Sequence, residues 1–143
     1  MIALWVVSAI LVALLFFMWI AIGKENGPSA ADVAIAYERA WDDLDFGQLY
    51  DLSGEELRDG MRRDRFIATK RAAYEKAGRT TRMGARVEVE NTVAGNQTAL
   101  VVTRVEDDGG AVRNNVMLEK RSNGWVVVGY SLRNDASADS GAE

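Results

Sequence analysis

A long uncharged run at the amino terminus constrains this chain more than any other feature of its sequence. The run, IALWVVSAILVALLFFMWIAI, extends from Ile2 to Ile22, and Ser8 is its one clearly polar residue. As an α-helix it would be about 31 Å long, which matches the hydrocarbon thickness of a bilayer. Trp5 and Trp19 lie near its two ends, where indole rings favour the headgroup boundary. The sequence therefore predicts an N-terminal transmembrane helix over residues 1–23.

A cleaved signal peptide is the competing interpretation of this run, because Ala21-Ile22-Gly23 resembles a cleavage site. No basic residue precedes the run, however, and it is longer than the apolar region of a typical signal peptide. Lys24 follows the run, so the positive-inside rule favours a single-pass plasma-membrane protein with a cytoplasmic soluble domain. Small residues along the helix permit close docking against a larger membrane protein, and an ordinary lipid-facing anchor is the alternative.

Two residue types are missing from the chain altogether. Its 143 residues include no cysteine and no histidine. Disulfides and thiolate metal sites are thereby excluded, and the commonest general base and metal ligand is absent. Gly109-Gly110 falls in a predicted hairpin and not between a strand and a helix, so it does not form a phosphate loop. We therefore expect no cofactor and no metal, and a protein that is not an enzyme.

Positive charge is concentrated in the middle of the chain, although the net charge is −4. The segment from Arg58 to Arg86 carries ten Lys and Arg residues against three Asp and Glu residues. Three interpretations of this basic helix stay open: a solvated face, a contact with anionic lipid headgroups, or a contact with an acidic partner protein. Nucleic acid is not expected, because the domain is acidic overall and lacks a strand of alternating aromatic and basic residues. The candidate contact residues are Arg62, Arg63, Arg65, Lys70 and Arg71.

Residues 24–28 (KENGP) form a predicted hinge, and a helix is predicted to follow it. Ser29 and Asp32 have the spacing of a capping box, and the helix should run to about Leu44. Its apolar residues recur at helical spacing, which places Tyr37 and Trp41 on the buried side and Glu38 on the solvent side. Asp32, Arg39 and Asp42 are predicted to share that solvent side.

Two shorter helical segments are predicted next. Residues 45–52 read as a helical turn, and Ser53 with Glu56 has the spacing of a second capping box for a short helix over residues 54–60. Asp64 is the predicted cap of a third helix over residues 65–77, and Gly78 its stop. The predicted buried residues of this third helix are Phe66, Ile67, Ala73, Tyr74 and Ala77.

Alternating patterns then predict four strands, over residues 86–90, 99–105, 111–120 and 125–132, joined by turn signals. Gly129 interrupts the last strand and indicates a bulge. Consecutive hairpins make an antiparallel sheet, and the leading helices are the only available cover for its apolar face. The predicted fold class is thus α+β: a transmembrane helix, then three helices packed on a curved four-stranded antiparallel sheet over residues 29–133. Residues 134–143 (NDASADSGAE) are predicted to be a disordered acidic tail.

Two segments carry a resemblance to a known superfamily. The pattern AxxYERAWxxLDFGQLYDL spans Ala34 to Leu52, and WVVVGYSLR spans Trp125 to Arg133. With the helix and strand order they resemble the nuclear transport factor two-like, or cystatin-like, α+β superfamily, over about residues 29–133. The resemblance implies a cone whose interior would contain Tyr37, Trp41, Tyr50 and Tyr74, and it fixes no function, because this superfamily includes enzymes, ligand carriers and assembly modules.

The stretch from Leu44 to Tyr74 is also similar to one in small actinobacterial membrane proteins of unknown function. We expect a non-catalytic accessory subunit or assembly factor of a larger membrane complex, and this resemblance implies that the complex is a respiratory-chain (cytochrome bc/oxidase) supercomplex. A membrane-tethered domain that holds a small apolar ligand is the first alternative. An isomerase or dehydratase that uses Asp43, Asp45 or Asp51 as a base beside a tyrosine is the second, and Asp residues at helix ends more often serve as caps.

Overall fold

The structure of the protein is a computed structural model that describes residues 27–78 and 84–133. The predicted transmembrane helix (1–23), most of the predicted hinge (24–28) and the predicted tail (134–143) lie outside these residues. Within the described ranges, no helix is both long and apolar enough to cross a membrane. The elements are α1 (Ala30–Asp42), α2 (Phe46–Leu52), a 3-10 helix (Glu55–Leu57), α3 (Arg63–Lys76), β1 (Arg86–Ala94), β2 (Thr98–Asp107), β3 (Gly110–Arg121) and β4 (Gly124–Arg133).

The four strands form one antiparallel sheet in the order β1-β2-β3-β4, as the hairpin signals predict. β1 continues beyond the predicted Glu90 to Ala94, and its register against β2 shifts between Val89 and Asn91. A second shift lies where Met117 pairs with Gly129, which confirms the predicted irregularity in β4. Such bulges bend a sheet, and here they accompany a curved one.

Helix α1 lies across all four strands. Its predicted capping box is confirmed: Ser29 Oγ accepts a hydrogen bond from Asp32 N at 3.2 Å, and Ser29 N donates to Asp32 Oδ2 at 3.0 Å. The helix ends at Asp42, two residues before the predicted Leu44, which instead has a positive φ of 53°. The core between α1 and the sheet is apolar and includes Val33, Ala34, Tyr37, Ala40, Val101, Val116, Leu118 and Val127.

The predicted second capping box is wrong. Ser53 ends α2, and its hydroxyl donates to the carbonyl oxygen of Leu49 at 2.6 Å. Glu56 forms an ion pair with Arg121 of β3 at 2.5 Å and caps no helix. Only a single 3-10 turn, Glu55–Leu57, forms in the predicted helix over residues 54–60, and Gly54 precedes it without a side-chain cap.

Helix α3 packs on α2 and has no extensive contact with the sheet. The predicted cap at Asp64 is wrong, since Arg62 is the N-cap residue and Asp64 lies in the first turn. Phe66 is buried, but Ala73 and Ala77 are exposed, so the predicted buried stripe of this helix is only partly correct. Gly78, with a φ of 63°, follows the helix as predicted.

Candidate functional site

Glu38 is buried inside the domain, which corrects the predicted solvent-facing position. The residue is 3 % exposed. Its Oε1 accepts hydrogen bonds from Thr103 Oγ1 at 2.5 Å and from Asn114 Nδ2 at 3.0 Å. Its Oε2 accepts a hydrogen bond from the hydroxyl of Tyr130 at 2.9 Å. The Glu38 side chain, on α1, is therefore held by residues of β2, β3 and β4. We call Glu38, Thr103, Asn114 and Tyr130 the Glu38 network.

All hydrogen-bond donors of the Glu38 network are neutral side chains. In residues 27–78 and 84–133, no Lys or Arg forms an ion pair with Glu38. Burial of a carboxylate without a cation is costly, and hydrogen bonds from neutral groups offset only part of that cost.

Tyr130 and Asn114 complete the network. Asn114 Nδ2 also donates to the Tyr130 hydroxyl oxygen, at 2.8 Å. Burial, followed by the nearby negative charge of Glu38, raises the pKa of the Tyr130 phenol well above its usual range. Asn114 is 3 % exposed, yet its Oδ1 has no hydrogen-bond partner in the described part of the chain. A buried acceptor without a donor is rare in folded proteins and requires an explanation.

Aromatic rings surround the network. The ring of Tyr130 lies 5.4 Å from that of Tyr37 and 6.4 Å from that of Trp41, centroid to centroid. The Tyr130 and Trp41 rings are nearly parallel, with an interplanar angle of 26°. Trp41 also contacts the Tyr74 ring at 5.7 Å and the Phe46 ring at 6.5 Å. Three of the predicted pocket residues, Tyr37, Trp41 and Tyr74, thus come together with Tyr130.

Tyr50, the fourth predicted pocket residue, lies apart from this cluster. Its ring packs on Phe66 at 5.4 Å, and the Arg58 guanidinium lies 4.3 Å from its centroid. Its hydroxyl donates to the carbonyl oxygen of Met61 at 3.2 Å. Tyr50 therefore joins α2 to α3 and does not contact the Glu38 network.

The network lies near one end of the sheet. Thr103 pairs with Asn114, and Asn114 pairs with Leu132, so the three form a row across β2, β3 and β4. Leu132 is 65 % exposed, and Val112, two residues before Asn114, is 42 % exposed. Alternation along a strand places both on the same face as Asn114. The helices therefore leave the sheet partly uncovered beyond the network.

The three aspartates considered as catalytic bases lie elsewhere. Asp45 caps α2, accepting from Gln48 N at 3.0 Å, and Asp51 pairs with Arg63 at 3.0 Å. Asp43 is exposed at the end of α1. Within residues 27–78 and 84–133, the carboxylate that the fold buries is that of Glu38.

The predicted contact residues of the basic helix divide into two groups. Arg63 makes a bidentate pair with Asp51 that raises the pKa of the guanidinium, and Lys70 lies 3.7 Å from Asp59. The other predicted contact residues are exposed and form no ion pair with any described residue: Arg62, Arg65 and Arg71.

Comparison with known proteins identifies the fold and goes no further. No protein-family model and no curated protein matches the sequence. A Campylobacter jejuni protein described as an NTF2-like transpeptidase aligns over 70 % of this chain and 97 % of its own, with a TM-score of 0.53 and 16 % identity. An NTF2-like protein of unknown function from Silicibacter pomeroyi aligns over 71 % of this chain and 90 % of its own, with a TM-score of 0.50 and 15 % identity. The domain has an NTF2-like fold.

The NTF2-like fold was expected from the sequence, but its Glu38 network was not. A signal for it was present in the strands. Thr103 follows Ala99 and Val101 at the inward positions of β2, and Asn114 precedes Val116 and Leu118 at those of β3. Polar residues at inward positions of two paired strands indicate a buried polar partner on the covering helix.

Proposed function

We propose that this chain is a non-catalytic accessory subunit of a larger integral membrane complex, held at the membrane by Ile2–Ile22, with its NTF2-like domain in contact with the partner. The actinobacterial resemblance favours a respiratory-chain assembly as that partner. The observation that carries the proposal is a row of exposed apolar side chains on the outer face of the sheet.

This outer row crosses three strands. Val93 pairs with Leu100, Leu100 pairs with Met117, and Met117 pairs with Gly129. Val93 is 63 % exposed, Leu100 39 % and Met117 48 %. Gly129 has no side chain, and the Met117 side chain lies over it. We call Val93, Leu100 and Met117 the outer row. Contiguous exposed apolar side chains are typical of protein contact sites.

The outer row lies toward the end of the sheet that the N-terminus of α1 faces. Asp42, at the C-terminus of α1, accepts a hydrogen bond from Ala85 N at 3.3 Å, at the start of β1. The N-terminus of α1 therefore points toward the opposite end of the sheet, where the turn between Ala94 and Thr98 lies. The outer row adjoins that turn, so a short hinge before Ser29 would hold it close to the membrane and to a membrane-embedded partner.

Purification of the full-length protein from its native membrane in mild detergent tests this proposal. We expect the wild type to elute within a complex much larger than 15.7 kDa that contains an integral membrane protein. Leu100→Lys with Met117→Lys should release the chain from that complex, because a charge cannot be buried unpaired in an apolar contact. Val112→Lys, an exposed apolar position on the opposite face, is the matched control and should leave the complex intact. A chain that always elutes as a lone monomer contradicts the proposal.

Binding of a small ligand inside the cone is a second candidate function. The unpartnered Oδ1 of buried Asn114 favours it, since a ligand that donates a hydrogen bond would satisfy that atom. The contacts among the rings of Tyr37, Trp41 and Phe46 count against a large open cavity, so the ligand group that reaches the network must be small.

A further inference from the structure

We infer that the Glu38 network binds a primary ammonium group attached to an apolar or aromatic body. This inference rests on the second candidate function, ligand binding, and is independent of the membrane partner. It follows from three properties of the site: its charge, its unused acceptor and the rings that surround it.

The charge of the site favours a cation. Glu38 is a buried acid whose partners, Thr103, Asn114 and Tyr130, are all neutral. A buried carboxylate is stabilised most when a cation neutralises it within hydrogen-bonding distance. A positively charged ligand would supply the charge that the described residues do not place there.

The unused acceptor specifies a cation that carries N–H groups. Asn114 Oδ1 belongs to the same amide as the Nδ2 that donates to Glu38 Oε1 at 3.0 Å. An ammonium group that donates to Oδ1 would therefore bind an amide that is itself hydrogen-bonded to the carboxylate. A quaternary ammonium has no N–H to donate and would leave Oδ1 without a partner.

The surroundings of the network favour an apolar body on the ligand. The rings of Trp41, Tyr74 and Tyr130 are partly exposed, and ring faces attract ammonium ions. Beyond the network the inner face of the sheet is apolar and uncovered at Val112 and Leu132. An apolar or aromatic group would bury this surface while its ammonium group reaches Glu38.

Calorimetric titration of the full-length protein in a non-ionic detergent tests this assignment, with 2-phenylethylammonium as the probe. Two analogues separate the contribution of the positive charge from that of the N–H groups. 2-Phenylethanol has no charge, and 2-phenylethyl-trimethylammonium has the charge but no N–H group. We expect saturable binding of the primary ammonium and at least about tenfold weaker binding of each analogue.

Two variants locate the binding. Glu38→Gln keeps the shape of the side chain and removes its charge, and we expect it to weaken binding of the primary ammonium at least about tenfold. Glu106→Gln removes one exposed carboxylate from β2 and should leave binding unchanged. Circular dichroism of each variant confirms that it is folded.

Three results would overturn the assignment. The first is a titration with the primary ammonium that shows no saturable heat of binding up to about 10 mM. A high-resolution structure would then show only a water molecule on Asn114 Oδ1. The second is equal affinity for the ammonium and the alcohol. The third is an unchanged affinity in folded Glu38→Gln. None of these results bears on the complex isolated from membranes, so the two proposals fail independently.

Discussion

The hydroxyl of Tyr130 donates a hydrogen bond of 2.9 Å to Oε2 of Glu38 and so joins β4 to the middle of α1. The Tyr130 ring packs on Tyr37 and Trp41 of the same helix. Helix and sheet are thus connected by an apolar contact and a polar one at the same place. The polar contact contains a buried charge, and its consequences for stability can be measured directly.

Substitution of Glu38 separates the charge from the hydrogen bonds. Glu38→Gln removes the buried charge, but its amide nitrogen replaces one of the two oxygens that accept hydrogen bonds, so we expect the free energy of unfolding to fall by about 1 kcal/mol. Glu38→Ala leaves the hydroxyls of Thr103 and Tyr130 without their acceptor, and the free energy of unfolding should fall by about 2–4 kcal/mol. Urea denaturation at neutral pH measures both. Equal losses in the two variants would show that the charge itself stabilises the fold.

Alkaline pH should destabilise the domain through Tyr130. Burial and the charge of Glu38 raise the pKa of this phenol above its ordinary value of 10.0, so the folded protein retains a proton that the unfolded chain releases. The contribution of the protonated Tyr130 phenol to the free energy of unfolding is therefore complete below pH 10. It is lost as the pH rises above 10.

Tyr130→Phe tests this dependence. Between about pH 11 and 12, the wild-type free energy of unfolding should fall more steeply than that of the variant, by about 1.4 kcal/mol per pH unit. Some dependence should persist in the variant, because burial also raises the pKa of Tyr37. Tyr50→Phe, whose hydroxyl bonds a backbone carbonyl outside the network, is the control. Parallel curves for wild type and Tyr130→Phe would contradict the prediction.

Gly54 lies where α2 approaches β4, and its backbone N–H donates to Val127 O at 2.7 Å. A Cβ at this position would press on the Glu56 carboxylate, and it would lie 3.1 Å from Val128 Cγ1 and 3.4 Å from Val127 O. Gly54→Ala should therefore lower the free energy of unfolding by about 1–2 kcal/mol. At Gly95 the nearest atom to a Cβ is 3.5 Å away, so Gly95→Ala should change stability little. Thermal unfolding of both variants measures the difference. A Gly54→Ala variant that is as stable as the wild type would show that β4 can shift at this contact.

The bidentate pair between Arg63 and Asp51 joins α3 to α2 at the protein surface. Both side chains are about half exposed, at 49 % and 57 %, so solvent screens their attraction. A double-mutant cycle with Arg63→Ala and Asp51→Ala should give a coupling energy of about 0.5 kcal/mol that decreases in high salt. A coupling that salt does not change would contradict the electrostatic explanation. Arg62→Ala, at a position without an ion pair to any described residue, is the control.

Elements fixed by local chemistry were predictable from the sequence. The Ser29–Asp32 capping box, the stop at Gly78 and the four hairpin-linked strands all depend on residues close together in the chain. The Ser53–Glu56 spacing was misleading because both side chains have better partners in three dimensions. The Ser53 hydroxyl bonds the carbonyl oxygen of Leu49, and Glu56 pairs with Arg121.

The candidate site was only half predictable. Tyr37 and Trp41 follow the helical period of α1, Tyr74 follows that of α3, and the superfamily resemblance implies that these rings lie together. Glu38 adjoins the apolar stripe of α1, and the same period predicts that it faces solvent. Its partners are Thr103, Asn114 and Tyr130, which lie 65, 76 and 92 positions further along the chain. Helical periodicity describes one element at a time and contains no information about which strand residues will meet it.

Site-specific photocrosslinking in the native membrane tests the central proposal most directly. A photoreactive amino acid at Leu100, in the outer row, should give an adduct much heavier than 15.7 kDa that contains an integral membrane protein. The same group at Glu106, toward the other end of β2, should give that adduct weakly or not at all. A Leu100 probe that yields no protein adduct, while the chain remains in the membrane fraction, would contradict the account.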